Sequence, residues 1–98
     1  MNDDLKFEWD KHKAALNKRK HGISFEEAAT VFYDEDALEF HDPDHSGDED
    51  RFIMLGLSSR TRMLVVNHCL RKSCSVIRII SSRKATKHEA QRYREETP

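Results

Sequence analysis

The chain is short of the residues that build a stapled or metal-knit small protein. Only two of its 98 residues are cysteine, and Cys69 and Cys74 form neither a CxxC pair nor part of an even framework. A disulfide scaffold and a cysteine-built zinc site are thereby excluded. An apolar N-terminal segment is missing, as is any hydrophobic run long enough to cross a bilayer. No membrane contact is expected, and the cytoplasm is the expected compartment. Walker loop, GxSxG elbow and two-metal carboxylate set are absent as well, and so are repeats and low-complexity tracts. Any chemistry is expected to come from ordinary side chains, with no cofactor and no metal.

What is present is charge. Hydrophobic residues make up 37% of the chain and charged ones 36%, so one domain over residues 1–98 is expected, with a lean core and a crowded surface. The net charge of -1 conceals a segregation. Residues 34–50 hold nine acids and no Lys or Arg, whereas Arg51 to Arg94 hold eleven Lys or Arg against a single acid, Glu89. One region suits a polyanion and the other a basic partner; solvated surfaces that merely cancel are the alternative.

The local signals give an order of elements. Phe7-Glu8-Trp9 reads as a short strand closed by Asp10 as a helix N-cap, with a helix from Lys11 to about Lys20 that ends at Gly22. That helix offers only Ala14, Ala15 and Leu16 as apolar anchors. Ser24 and Glu27 have capping-box spacing, Ile23 is placed to staple onto Ala28, and Phe25, Ala28, Ala29 and Phe32 form a helical stripe. A short strand at Ala37–Phe40 precedes the polar loop HDPDHSGDED. Arg51–Ser58 and Met63–Leu70 are near-continuous apolar strands joined by a hairpin connection, and a polar turn at Arg71–Ser75 leads to Val76–Lys87. There a strand carrying Arg78 runs into Arg83-Lys84, and Thr86 and Glu89 form a capping box for a last, mostly charged helix. The order β-α-α-β-β-β-β-α implies an α+β fold: a mainly antiparallel sheet with helices packed on one face.

Several cations are placed where they could share a groove. Strand alternation puts Arg78 on the side of Val76 and Ile80, away from Ile77 and Ile79. Arg51 opens the first long strand, Arg83 and Lys84 close the last, and Lys20 and His21 sit at the bend between the helices. Converging guanidinium groups hold phosphates bidentately and offset charge developing in phosphoryl transfer. His21 and Glu49 are the candidates to move protons. Each Arg alone could equally be a surface ion pair. His41 and His45, with Asp42 and Asp44, lack a third nitrogen or sulfur ligand at a recognisable interval and read as solvated loop residues. His68, on an apolar strand, reads as a hydrogen-bonded core histidine, and His12 and His88 as surface residues.

Three blocks, KHGISFEEAATVF (Lys20–Phe32), EDRFIMLGLS (Glu49–Ser58) and RIISSRKATKHEAQRYRE (Arg78–Glu95), closely resemble the BrnT family of bacterial toxins, and FEWD (Phe7–Asp10) and His45-Ser46 fit it too. The resemblance spans nearly the whole chain. It implies a RelE-like ribonuclease fold and a type II toxin–antitoxin role, in which the toxin cleaves RNA, inhibits translation and is neutralised by a BrnA-like antitoxin. The antitoxin carries the DNA-binding part, through which the complex binds its operator. Carried over residue by residue, the family's basic and acid–base positions fall on Lys20 and His21, on Glu49 and Arg51, and on Arg78, Arg83 and Lys84. The expected catalytic set is therefore His21, Glu49, Arg51, Arg78 and Arg83, with Lys20, Arg62 and Lys84 binding RNA. Ser59-Arg60-Thr61-Arg62 and Ser82 depart from the family's commoner residues, outside this set except at Arg62.

Three functions fit these residues. One is a metal-independent endoribonuclease that leaves a 2′,3′-cyclic phosphate. A second is a non-catalytic module or co-repressor that works only through an antitoxin docked on the acidic stretch. The third, ranked last, is a metal-dependent hydrolase built on His41, His45 and their neighbouring aspartates.

Overall fold

The computed structural model describes residues 5–47, 49–72 and 75–97. Asp48 of the acidic stretch, and Ser73 and Cys74 of the second polar turn, lie outside them. The elements run β1 (Lys6–Glu8), α1 (Lys11–His21), α2 (Phe25–Thr30) with a 3-10 turn at Val31–Tyr33, β2 (Leu38–His41), a second 3-10 turn at Pro43–His45, β3 (Arg51–Leu57), β4 (Met63–Arg71), β5 (Val76–Lys84) and α3 (Lys87–Glu96). The fold is mixed α+β: three helices on a five-stranded sheet ordered β1-β5-β4-β3-β2. The sheet is antiparallel except where β1 runs parallel to β5.

The helix ends follow from their caps. Asp10 accepts the Lys13 N–H at 3.0 Å, and Gly22 ends α1 at φ 72°, a left-handed turn that glycine adopts without steric cost. Thr86 and Glu89 form the full reciprocal capping box on α3. Ser24 caps α2 through the Glu27 N–H, but the box there is half-built. Glu27 is turned inward instead, to Ser58 Oγ (2.7 Å) and Arg62. That diversion ties α2 to the hairpin between β3 and β4.

Helix α1 has no apolar stripe, and Leu16 is exposed. Its anchor is polar. Asn17 is buried, donates to Ile23 O (3.0 Å) and Ser82 O (2.9 Å), and accepts the Ser82 N–H (3.0 Å). Because β1 pairs only with Val76–Arg78, the rest of the outer edge of β5 needs partners, and Asn17 supplies both a donor and an acceptor.

Alternation sorts the core onto both faces of the sheet. Leu64, Val66, Ile77 and Ile79 pack under α1 and α2 with Ile23, Phe25, Ala28 and Val31. Fully buried His68 lies on this side, 3.2 Å from Val66 O, with Glu39 at 3.3 Å, and burial lowers its pKa. Leu55 and Val65 point the other way, where they meet Tyr93 of α3. The expectation that all helices share one face is therefore corrected: α3 covers the opposite face. The physical reason lies in α3 itself, since Ala90 and Tyr93 need apolar cover and the first face is already filled by α1 and α2. Tyr93 OH donates to Asp34 Oδ2 (2.7 Å), and burial together with that carboxylate pushes the phenol up to about 12.

Gly56 is closely packed on the first face. A Cβ built there would lie 2.9 Å from Ala37 Cβ and 3.0 Å from both Val31 Cγ1 and Asp34 Oδ2. Gly56→Ala is expected to cost about 1–3 kcal/mol through overpacking, read as a lower midpoint in urea unfolding; an unchanged midpoint would show that the 3-10 turn yields freely.

Candidate functional site

The half of the second face that α3 leaves open carries the candidate site. Pairing places Arg51 opposite Cys69, Cys69 opposite Arg78 and Arg78 opposite Glu8, so these four side chains form one row across the sheet. Strand spacing sets Arg51 and Arg78 roughly 10 Å apart at their Cα atoms. Carboxylates interleave with the cations: Glu8 Oε2 lies 2.9 Å from Arg78 Nη1 and 3.6 Å from Arg71 Nε, and Glu49 lies 3.2 Å from Arg71 Nη1. Between them the Cys69 thiol is buried, and burial and Glu49 push its pKa up, so it is a packing group and not a nucleophile.

The next row along the strands is Ile53, Asn67 and Ser81, with Asn67 Nδ2 donating to Ser81 Oγ at 2.8 Å. Here the register of β4 and β5 slips. Asn67 pairs with Ser81 and His68 with Ile79, leaving Ile80 as a bulge. The loop before β3 folds over this point. Asp42 N–H donates to Arg51 O (2.8 Å), Ser46 Oγ–H donates to Asp42 O (2.7 Å), and Ser46 Oγ accepts the Arg51 N–H (2.9 Å). The 3-10 turn held in this way sets His45 Nδ1 2.9 Å from Asp42 Oδ2. Asp42, His45, Arg51, Asn67, Ile80 and Ser81 enclose a cleft of about 220 Å³.

A second cleft of about 290 Å³ lies between α1 and β5 and includes Lys20 and His21. It shares Ile80 and Ser81 with the first, so the strand at the bulge borders both. The structure thus brings Arg51, Arg78 and Glu49 to one end of the open face and sets Lys20 and His21 beside it. Arg83 and Lys84 lie at the other end of β5. Arg83 makes two hydrogen bonds to Glu89 (2.8 and 2.9 Å), which hold that carboxyl down at about 2. Arg62 lies farther off, at the β3–β4 hairpin, where its guanidinium is bonded to Glu27. These two cations fasten α3 and α2 to the sheet.

His45 and Asp42, expected to be solvated loop residues, are paired by a 3-10 turn that Ser46 pins. His41 turns to a different carboxylate, Asp50, at 3.3 Å. Among the described residues no group of three or more His, Cys, Asp and Glu side chains comes together as a metal cage. No helix among them is long and apolar enough to cross a membrane.

The model of one protein family, the ribonuclease toxin BrnT of type II toxin–antitoxin systems, matches residues 9–89. The 1.1 Å crystal structure of the Brucella abortus ribonuclease toxin BrnT is similar in fold, with a TM-score of 0.65 at 21% identity over 85% of this chain and 99% of that one. No curated protein matches. The family match runs from Trp9, beside β1, to Glu89 in α3 and so includes both clefts and the row of arginines. The chain belongs to the BrnT family of ribonuclease toxins of type II toxin–antitoxin systems.

Proposed function

We propose that this chain is a metal-independent endoribonuclease toxin of RelE-like descent. It acts on RNA in the cytoplasm to inhibit translation and is neutralised by a BrnA-like antitoxin, through which the complex binds operator DNA. The observation that carries this reading is the placement of Arg51 in a cleft whose lining residues Ile80 and Ser81 also line the separate cleft of Lys20 and His21. Arg51 and Arg78 supply the positive charge for a phosphodiester and for its transition state. Arg78 exchanges Glu8 for the phosphate, and Lys20 and Lys84 lie along the flanking backbone. His21 and Glu49 are the first proton-transfer groups to test; Arg62 and Arg83 stay with their carboxylates. In the reaction the 2′-oxygen bonds to phosphorus and the bond to the 5′-oxygen breaks. One proton leaves the 2′-hydroxyl and another goes to the 5′-oxygen, giving a 2′,3′-cyclic phosphate and a 5′-hydroxyl.

Purified protein incubated with RNA in EDTA is expected to yield these two ends. Cleavage that appears only when a divalent ion is restored, or no cleavage at all, would overturn the proposal. One observation favours the non-catalytic alternative: Arg62, Arg78 and Arg83 each already hold a carboxylate. Inducing the protein without its antitoxin separates the two, since a binding module leaves growth unchanged.

A further inference from the structure

We propose that His45, oriented by Asp42, is a second proton-transfer residue of RNA cleavage and works from the opposite side of the Ile80–Ser81 bulge to His21. The inference rests on the ribonuclease reading above. Its first support is the tautomer. A carboxylate only accepts, so the 2.9 Å contact to Asp42 requires the proton on Nδ1. In the neutral ring it is then Nε2 that can take a proton, the arrangement in which a carboxylate fixes and orients a catalytic imidazole.

The second support is that the pair is built into the scaffold. Although the His45 ring is exposed, the Asp42 side chain is only 17% exposed. Asp42 is bonded through its own N–H to Arg51 O and through its own carbonyl to Ser46, which also holds the Arg51 N–H. Asp42, on which the His45 ring rests, is therefore fastened to Arg51 through three hydrogen bonds at the start of β3. A merely solvated turn has no need of that coupling.

The third support is charge and space. From its own turn His45 has Asp42 and Asp44 near it, and β3 presents Arg51. His41 at the end of β2 and Asp50 in the loop that follows the turn are bonded to each other. Strands β4 and β5 contribute Asn67, Ile80 and Ser81 to the cleft, none of which titrates in the working range. The imidazole thus shares its cleft with one cation and rests on one anion. In the step assigned to it, His45 Nε2 takes the 2′-hydroxyl proton as the 2′-oxygen bonds to phosphorus. Protonated His21 gives its proton to the departing 5′-oxygen, and exchange with water resets both rings.

The test is cleavage of an RNA oligonucleotide in EDTA from pH 5 to 9, with RNA binding and melting followed in parallel. His45→Gln is expected to lower kcat at least about 100-fold with KM and binding unchanged, and to abolish the acidic limb of the pH–rate profile. Asp42→Asn is expected to lower kcat about tenfold with KM unchanged, because the ring loses the group that orients it. Imidazole added to His45→Ala is expected to restore part of the rate, which a purely structural histidine would not allow. Full activity in His45→Gln, or lost activity with the acidic limb intact and no imidazole rescue, would overturn the assignment and leave the ribonuclease reading standing. Wild-type protein inactive in EDTA would instead remove that reading.

Discussion

Arg51→Ala is expected to lower kcat/KM for RNA cleavage about 100- to 1,000-fold, the usual cost of deleting one preorganised group that stabilises transition-state charge. Among the arginines of the expected catalytic set, Arg51 alone has no carboxylate within ion-pair distance among the described residues. Arg62, Arg71, Arg78 and Arg83 each lie against a carboxylate, while among the described residues none lies within ion-pair distance of Arg51. Its charge is thus available to substrate without a bond being broken first. Its fold-supporting bonds use the main chain, N–H to Ser46 Oγ and C=O to the Asp42 N–H, so alanine leaves them in place. Single-turnover cleavage measured beside a thermal melt decides the point. A variant that melts like the wild type and still cleaves at full rate would remove Arg51 from the site.

The largest effect on stability is expected at Glu27. Its carboxylate is buried between Ser58 and Arg62, and the Arg62 guanidinium holds its pKa down at about 2 from the ordinary 4.5. A pKa depressed in the folded state means stability that is fully present above about pH 4.5 and drains away as pH falls toward 2. At roughly 1.4 kcal/mol per unit, the loss over that window is about 3 kcal/mol. Glu27→Ala is expected to cost about as much at neutral pH, since it leaves the guanidinium without its counter-charge. For a domain this size that is a fall in Tm of about 12–20 °C. Denaturant midpoints from pH 7 to pH 2 test the linkage: wild type should lose stability steeply below pH 4.5, and Glu27→Ala less so. Parallel slopes would place the acid sensitivity elsewhere.

Local signals carried much of the architecture. Asp10, Gly22, Ser24 and Thr86 stand at the helix ends because caps answer to neighbours three or four residues away, and β3 and β4 are legible as near-continuous apolar runs between polar turns. Pairing between distant residues was not legible. That Glu27 would abandon its cap for Arg62, 35 residues on, depends on how the hairpin folds back over α2. That α3 would take the opposite face depends on which side α1 and α2 had already filled. The candidate site divides in the same way. Arg51 and Arg78 stood out as cations at the start of, or inside, apolar strands. Placing Glu8 on Arg78 requires the parallel pairing of β1 with β5, and placing His45 on Asp42 requires a turn that Ser46 pins from within the loop. Arg62, expected to bind RNA, and Arg83, expected in the catalytic set, each have a carboxylate beside them that charge alone does not reveal.

The amide of Asn17 has a consequence for how this molecule meets its own copies. A β-edge with unpaired N–H and C=O groups invites another chain to add a strand, and so to dimerise or aggregate. Beyond the three residues that β1 covers, the outer margin of β5 would be such an invitation. By bonding both the N–H and the C=O of Ser82, one side chain of α1 does there what a neighbouring strand would do. At Ser82 that margin is closed, while the face that carries Arg51 stays open.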